Sequence, residues 1–165
     1  MRNFLSDEAI RRHREYVETL KRAYSFYQNG IPELSTASPA ELSRRKYREK
    51  ERIVALYNEL RLHEIFFNSF RTEGEEYPNG FSPTELSTLR YRLYDTCMSA
   101  KGGFVILKRH GKEIRVEHVS NFETSDAELA IDMCEHAYFL DFGFDKTSYI
   151  VSLIPKLRMS RLSSE

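Results

Sequence analysis

Asp132-Met133-Cys134-Glu135-His136-Ala137-Tyr138-Phe139-Leu140-Asp141 changes character partway along. It follows Leu129-Ala130-Ile131, a short apolar run of the kind that forms a buried strand, and it continues as a helix-like segment. Asp132 is therefore expected at a strand end and His136 at a helix start. A carboxylate and an imidazole four apart can reach one point from such a turn. The spacing is common on any helix surface, so its meaning depends on what the rest of the chain brings to it.

Upstream, Phe104-Val105-Ile106-Leu107 is a β-type run, Arg109-His110-Gly111-Lys112 reads as a turn, and Glu113 to Val119 alternates with period two. With the run at Leu129 this predicts a small antiparallel sheet of three strands. Downstream, about His136 to Arg161 reads as helix, broken near Phe142-Gly143-Phe144. Toward the N-terminus three helix starts stand out. Ser6-Asp7-Glu8 offers a capping hydroxyl and two acids, while Ser38-Pro39-Ala40-Glu41 and Ser82-Pro83-Thr84-Glu85 are capping boxes with proline at the first helical position. They predict helices over about Asp7–Tyr27, Pro39–Phe70 and Pro83–Ser99. The fold class expected is α+β: an N-terminal antiparallel hairpin of long helices, then a small α/β half with a three-stranded antiparallel sheet. The division expected is 1-74 for the helical hairpin and 81-165 for the C-terminal α+β domain, with any site between them.

Each long helix carries one histidine in its apolar stripe. Ile10, His13, Val17, Leu20, Tyr24 and Tyr27 share one face, and Leu56, Leu60, His63, Phe67 and Phe70 share the other. A lone core histidine is usually just hydrogen-bonded, but two facing each other need two sets of partners. One metal ion would satisfy both. Adding Asp132 and His136 gives three imidazoles and one carboxylate, a mixed set that suits iron or manganese and would also accept zinc.

Composition narrows the function classes. Lys plus Arg and Asp plus Glu are 25 each, a balance that argues against a nucleic-acid partner. No apolar run approaches a membrane span, and Met1-Arg2-Asn3-Phe4-Leu5 runs into a helix start, so neither membrane nor leader is expected. Cys97 and Cys134 are too few for a disulfide framework and point to a reducing, cytoplasmic setting. Arg44-Arg45-Lys46 with Arg48, Lys50 and Arg52 is interrupted by Glu49 and Glu51 and reads as a solvated face. His110 and His118 fall in a turn and on a strand edge, outside the site.

The chain resembles the iron/manganese superoxide dismutases. The Asp132–Asp141 stretch is similar to that family's D-V-W-E-H-A-Y-Y-x-D-Y signature. Tyr57-Asn58-Glu59-Leu60-Arg61-Leu62-His63-Glu64-Ile65-Phe66-Phe67 resembles the Y-N-G-M-K-L-H-E-x-F-F form of one branch. Leu5-Ser6-Asp7-Glu8-Ala9-Ile10 leading to His13 is similar to the start of its first helix, and Gly103-Phe104-Val105-Ile106-Leu107 to its G-W-x-x-L strand. The resemblance implies one iron or manganese ion per subunit held by His13, His63, Asp132 and His136, with solvent as a fifth ligand. It implies dismutation of superoxide to dioxygen and hydrogen peroxide in two one-electron steps. It also implies a homodimer in which Glu135 bridges to the metal-binding histidine of the partner subunit.

The surroundings of the ligands depart from the family. Its outer amide comes from one of two places, filled here by Glu59 and by Phe122 after Asn121. Glu59 is the candidate for the amide's role; turned outward, it would instead pair with Arg52, Arg61 or Arg71. The family's pocket tyrosine would fall at Leu20 or Lys21, so none is expected, and Phe139 replaces a second tyrosine at the subunit boundary. Tryptophans that wall the family's site appear as Phe67, Phe104 and Cys134. The stretch from Gly80 to Gly102 is short for the two helices usual there, so one is expected to be lost or merged. An intact ligand set favours a superoxide dismutase. The altered surroundings favour a structural or assembly subunit of a larger complex keeping the fold with little or no activity, and a zinc hydrolase is a more distant third.

Overall fold

The computed structural model describes residues 4–30, 50–71, 81–111, 113–120, 122–124 and 126–162. Helix α1 covers Asp7–Gly30 and α2 covers Lys50–Asn68; α3 is Pro83–Ser99. Three strands follow, β1 Phe104–His110, β2 Glu113–Val119 and β3 Leu129–Asp132. Then come α4, Glu135–Phe142, and α5, Lys146–Leu153, with short 3-10 turns at Ile154–Lys156 and Met159–Leu162. The architecture is α+β, as the sequence predicts. No helix among the described residues is long and apolar enough to cross a membrane.

The two long helices run antiparallel because their stripes meet in reverse order. Phe4 lies 4.8 Å from Phe70 by ring centroids, His13 lies 5.2 Å from His63, and Tyr24 lies 6.1 Å from Tyr57. Between these, Val17, Leu20 and Leu60 form one buried cluster, and Ile53 packs with Tyr24 and Tyr27 in another. The largest core cluster joins Leu62, Phe66 and Phe70 of the hairpin to Leu93 and Cys97 of α3, to Phe104–Leu107 of β1, and to Tyr149 and Ile150 of α5. In the sheet β1 is central, antiparallel to both neighbours, in the order β2-β1-β3. Its register places Phe104 opposite Val119 on one side and opposite Asp132 on the other.

Local chemistry explains the element ends. Ser6 caps α1 by accepting from Ala9 N–H at 3.1 Å, and its own N–H donates to Asp141 Oδ2 at 2.6 Å, which ties the start of α1 to α4. Ser82 and Glu85 form the reciprocal capping box, with Pro83 in the first turn. Helix α1 is helical to Gly30, three residues past the expected Tyr27, because neither Gln28 nor Asn29 interrupts the backbone ladder. Helix α2 ends at Asn68, before the expected Phe70. Ser69 Oγ donates back to the Ile65 carbonyl at 2.7 Å, and Phe70 leaves to pair with Leu157. The expected start of that helix near Pro39, its Ser38 capping box and most of the basic run lie outside the described residues.

The expected turn at Arg109–Lys112 is shorter. Strands β1 and β2 continue to His110 and from Glu113, since ladder pairing ignores side-chain polarity, and Gly111 supplies the positive φ of 62°. The C-terminal helical segment breaks at Gly143, as expected, and ends short of the expected Arg161. Gly143 at φ 56° stops α4, Asp145 caps α5, and Pro155, lacking an N–H, ends the α-helical pattern. Between 81 and 102 the described residues hold a single helix, α3.

Candidate metal centre

Four side chains from four elements converge where the hairpin meets the sheet. His13 comes from the core stripe of α1 and His63 from that of α2; both are fully buried. Asp132 closes β3 and is fully buried, and His136 stands in the first turn of α4 with its side chain 26% exposed. One ligand-type atom from each lies within 4.8 Å of the others. The Nε2 atoms of His13, His63 and His136 are 3.1, 3.3 and 2.9 Å from Asp132 Oδ2. His63 Nε2 and His136 Nε2 are 3.3 Å apart.

The hydrogen bonds outside this cluster decide what its inner atoms carry. His63 Nδ1 lies 2.8 Å from the Glu59 carbonyl, which can only accept, so the proton sits on Nδ1 and neutral His63 turns a bare Nε2 lone pair inward. That lone pair faces the lone pairs of Asp132 Oδ2. Asp132 Oδ1 accepts from the Cys134 N–H at 2.8 Å, which orients the carboxylate. Both ring nitrogens of His13 are buried without a hydrogen bond. A cation shared by the four atoms resolves all of this at once, and three imidazoles with one carboxylate suit a first-row transition metal.

Charge within the cluster is balanced by geometry. Burial pushes the Asp132 carboxyl up, yet the three imidazoles packed against it, His13, His136 and His63, outweigh burial and hold the group well below its usual range. Burial lowers His13 by more than Asp132 raises it. At His63 burial also lowers, but the Asp132 carboxylate and the Glu59 carbonyl more than compensate, so its pKa is raised.

Aromatic rings wall the cluster. Phe66 and Phe67 lie 5.1 and 5.0 Å from His13, and Phe104 lies 5.0 Å from His63. Cys134 Sγ accepts from the Gly103 N–H at 3.2 Å, and burial with the nearby Asp132 charge pushes its thiol up to about 12. The sequence missed Tyr16. Its ring stacks on His136 at 4.0 Å and 28°, and its hydroxyl donates to Glu59 Oε1 at 2.8 Å. So a tyrosine does reach the site, three residues after His13 rather than at Leu20 or Lys21. Burial, reinforced by Glu59, raises its phenol pKa. The signal was available, because residues three apart are neighbours on a helix.

Glu59 is buried and turned toward Tyr16; the outward arginine pairing does not occur. Arg61 pairs with Glu64, Arg52 lies over the Tyr27 ring, and Arg71 donates to the Pro155 carbonyl. At the other amide position Asn121 is outside the described residues. Phe122, at a left-handed φ of 51°, offers its carbonyl to the Asn58 side chain at 2.7 Å and its ring to Phe104 at 6.2 Å. Glu135 lies exposed in the first turn of α4. His110 and His118 are exposed, the latter bonded to the Gly102 carbonyl at 2.7 Å. Residues 85–163 match the family model described as iron/manganese superoxide dismutases, C-terminal domain, a span that includes Asp132 and His136 but neither His13 nor His63. No curated protein matches the chain.

Proposed function

The chain belongs, through residues 85–163, to the iron/manganese superoxide dismutase family, and on that premise we propose that it is a superoxide dismutase working with one iron or manganese ion per chain. One observation carries the reading. Three imidazole nitrogens surround a single carboxylate oxygen, and the Glu59 carbonyl fixes the His63 tautomer that presents a bare lone pair to it. His13, His63, Asp132 and His136 would hold the ion. When bound, it supplies the one-electron couple by which two superoxide ions and two protons become dioxygen and hydrogen peroxide.

The chain's own residues do the rest. The Glu59 carbonyl aims His63, and the Cys134 N–H aims Asp132. Phe66, Phe67 and Phe104 keep bulk water from the buried side. Tyr16 holds the Glu59 carboxylate on the cluster's flank, where its charge favours the higher oxidation state. The partly exposed edge of His136 leaves this end of the site nearest to solvent. The hairpin, 1-74, and the C-terminal part, 81-165, are taken as two parts sharing the site at their seam. Phe139, Leu140 and Phe144 are exposed beside Glu135, which supports a homodimer built on α4. Free Cys97 and Cys134 support a cytoplasmic setting.

Elemental analysis of the native protein, together with a superoxide turnover assay, tests the reading. Iron or manganese near one per chain, with turnover, is the expected result. Bound metal without turnover would favour the assembly subunit, and zinc with no turnover would overturn the redox assignment.

A further inference from the structure

We propose that Tyr149 is a positioning residue for the metal centre, its hydroxyl fixing the Asp132 backbone from the open edge of the sheet. This rests on reading the four-residue cluster as a metal site. Strand β3 is an edge strand, yet all four of its residues are buried. Peptide groups on its outer side therefore cannot turn to water and need partners from the protein. Met133 N–H donates to the Gly103 carbonyl at 2.8 Å, so Met133 faces β1, and by alternation Ala130 and Asp132 face the open edge.

Two side chains stand there in place of a fourth strand. Ser69 Oγ, from the end of α2, accepts from the Ala130 N–H at 2.9 Å. Tyr149, from α5, donates its hydroxyl to the Asp132 carbonyl at 2.8 Å. The Tyr149 ring is fully buried, stacked on Tyr138 at 4.8 Å and 21°, and 5.8 Å from Phe142. Both of those rings belong to α4, the helix that begins at Glu135 and carries His136. One side chain thus grips Asp132 by its backbone and rests on the helix of His136. The distance between those two ligand candidates is set across it.

A buried ring alone would be served by phenylalanine; the hydroxyl is the part that bears on the ligand. The test uses the full chain stripped of metal and titrated with Mn²⁺ against a competing chelator, with thermal melting of the metal-free forms alongside. Tyr149→Phe is expected to lower Mn²⁺ affinity by about 10-fold or more, the usual loss when a residue outside the ligand set is removed. Ser69→Ala removes the other edge partner and is expected to lower the melting temperature while keeping affinity within about threefold of native. Replacing Tyr149 with 4-aminophenylalanine restores a donor on the ring and is expected to return affinity to within that same range; it also serves if the Phe chain fails to fold. Tyr149→Phe binding like native, Ser69→Ala losing affinity equally, or no rescue by the amino ring would each overturn the proposal. A native chain that takes up neither manganese nor iron overturns the metal reading itself, and with it this inference.

Discussion

His63 is held at both ends of its ring, by the Glu59 carbonyl on Nδ1 and by the facing cluster on Nε2. His63→Ala is therefore expected to abolish metal retention and to lower the melting temperature by roughly 10 °C, from the cavity alone. Elemental analysis and calorimetry check both, and the exposed His110→Ala changes neither. Glu59 and Tyr16 give a second expectation with opposite signs. Glu59→Gln removes a negative charge beside the ion and should raise the reduction potential by on the order of 60 mV, a tenfold shift in a one-electron equilibrium. Tyr16→Phe removes the hydroxyl that partly neutralises that carboxylate, so it should lower the potential. Redox titration of the two variants decides; shifts of the same sign would dissociate the pair. At this scale the histidines were legible because each interrupts a regular apolar stripe. Glu59 was legible as a candidate but its direction was not, since only the tertiary position of Tyr16 determines which way a polar residue on that helix turns.

Helix α3 was read to its last residue because both ends carry their own chemistry: a capping box at Ser82 and Glu85, and glycines soon after Ser99. Elements that end through contacts elsewhere were misjudged. Phe70 leaves α2 to pair with Leu157, which the sequence around Phe70 does not announce. The C-terminal segment keeps an apolar spacing across Pro155, so periodicity alone overran its end. The loop before β1 carries a sharper test. A Cβ on Gly103 would lie 2.3 Å from the Val119 carbonyl oxygen, and its φ is +69°. Gly103 also bonds to Met133 and Cys134, the two residues between Asp132 and the start of α4. Gly103→Ala should cost about 2–4 kcal/mol in denaturant unfolding and weaken metal retention. Gly111→Ala, at φ +62° with open space around its Cβ, should cost only about 1 kcal/mol and leave metal content alone.

For the whole molecule, the proposed homodimer carries a prediction of its own. Glu135 adjoins His136, and Phe139, Leu140 and Phe144 stand exposed along and just beyond α4. Glu135→Ala should weaken self-association by at least about tenfold and reduce metal occupancy together, as read by sedimentation and elemental analysis. A native chain that sediments as a monomer while fully metallated and active would remove the dimer from the account. The ligand candidates also lie far apart along the chain, two in the first helices, one closing the last strand and one opening the helix after it. During synthesis the hairpin emerges first and can form early, from local contacts, with both of its imidazoles in place. Asp132 and His136 leave the ribosome much later, and the turn that joins them needs β1 already beneath it. An ion held by these four residues would thus be captured near the close of folding, by an almost finished protein. Its identity would then follow the metals at hand in that interval, and cells grown in iron-rich and manganese-rich media should yield chains with different contents.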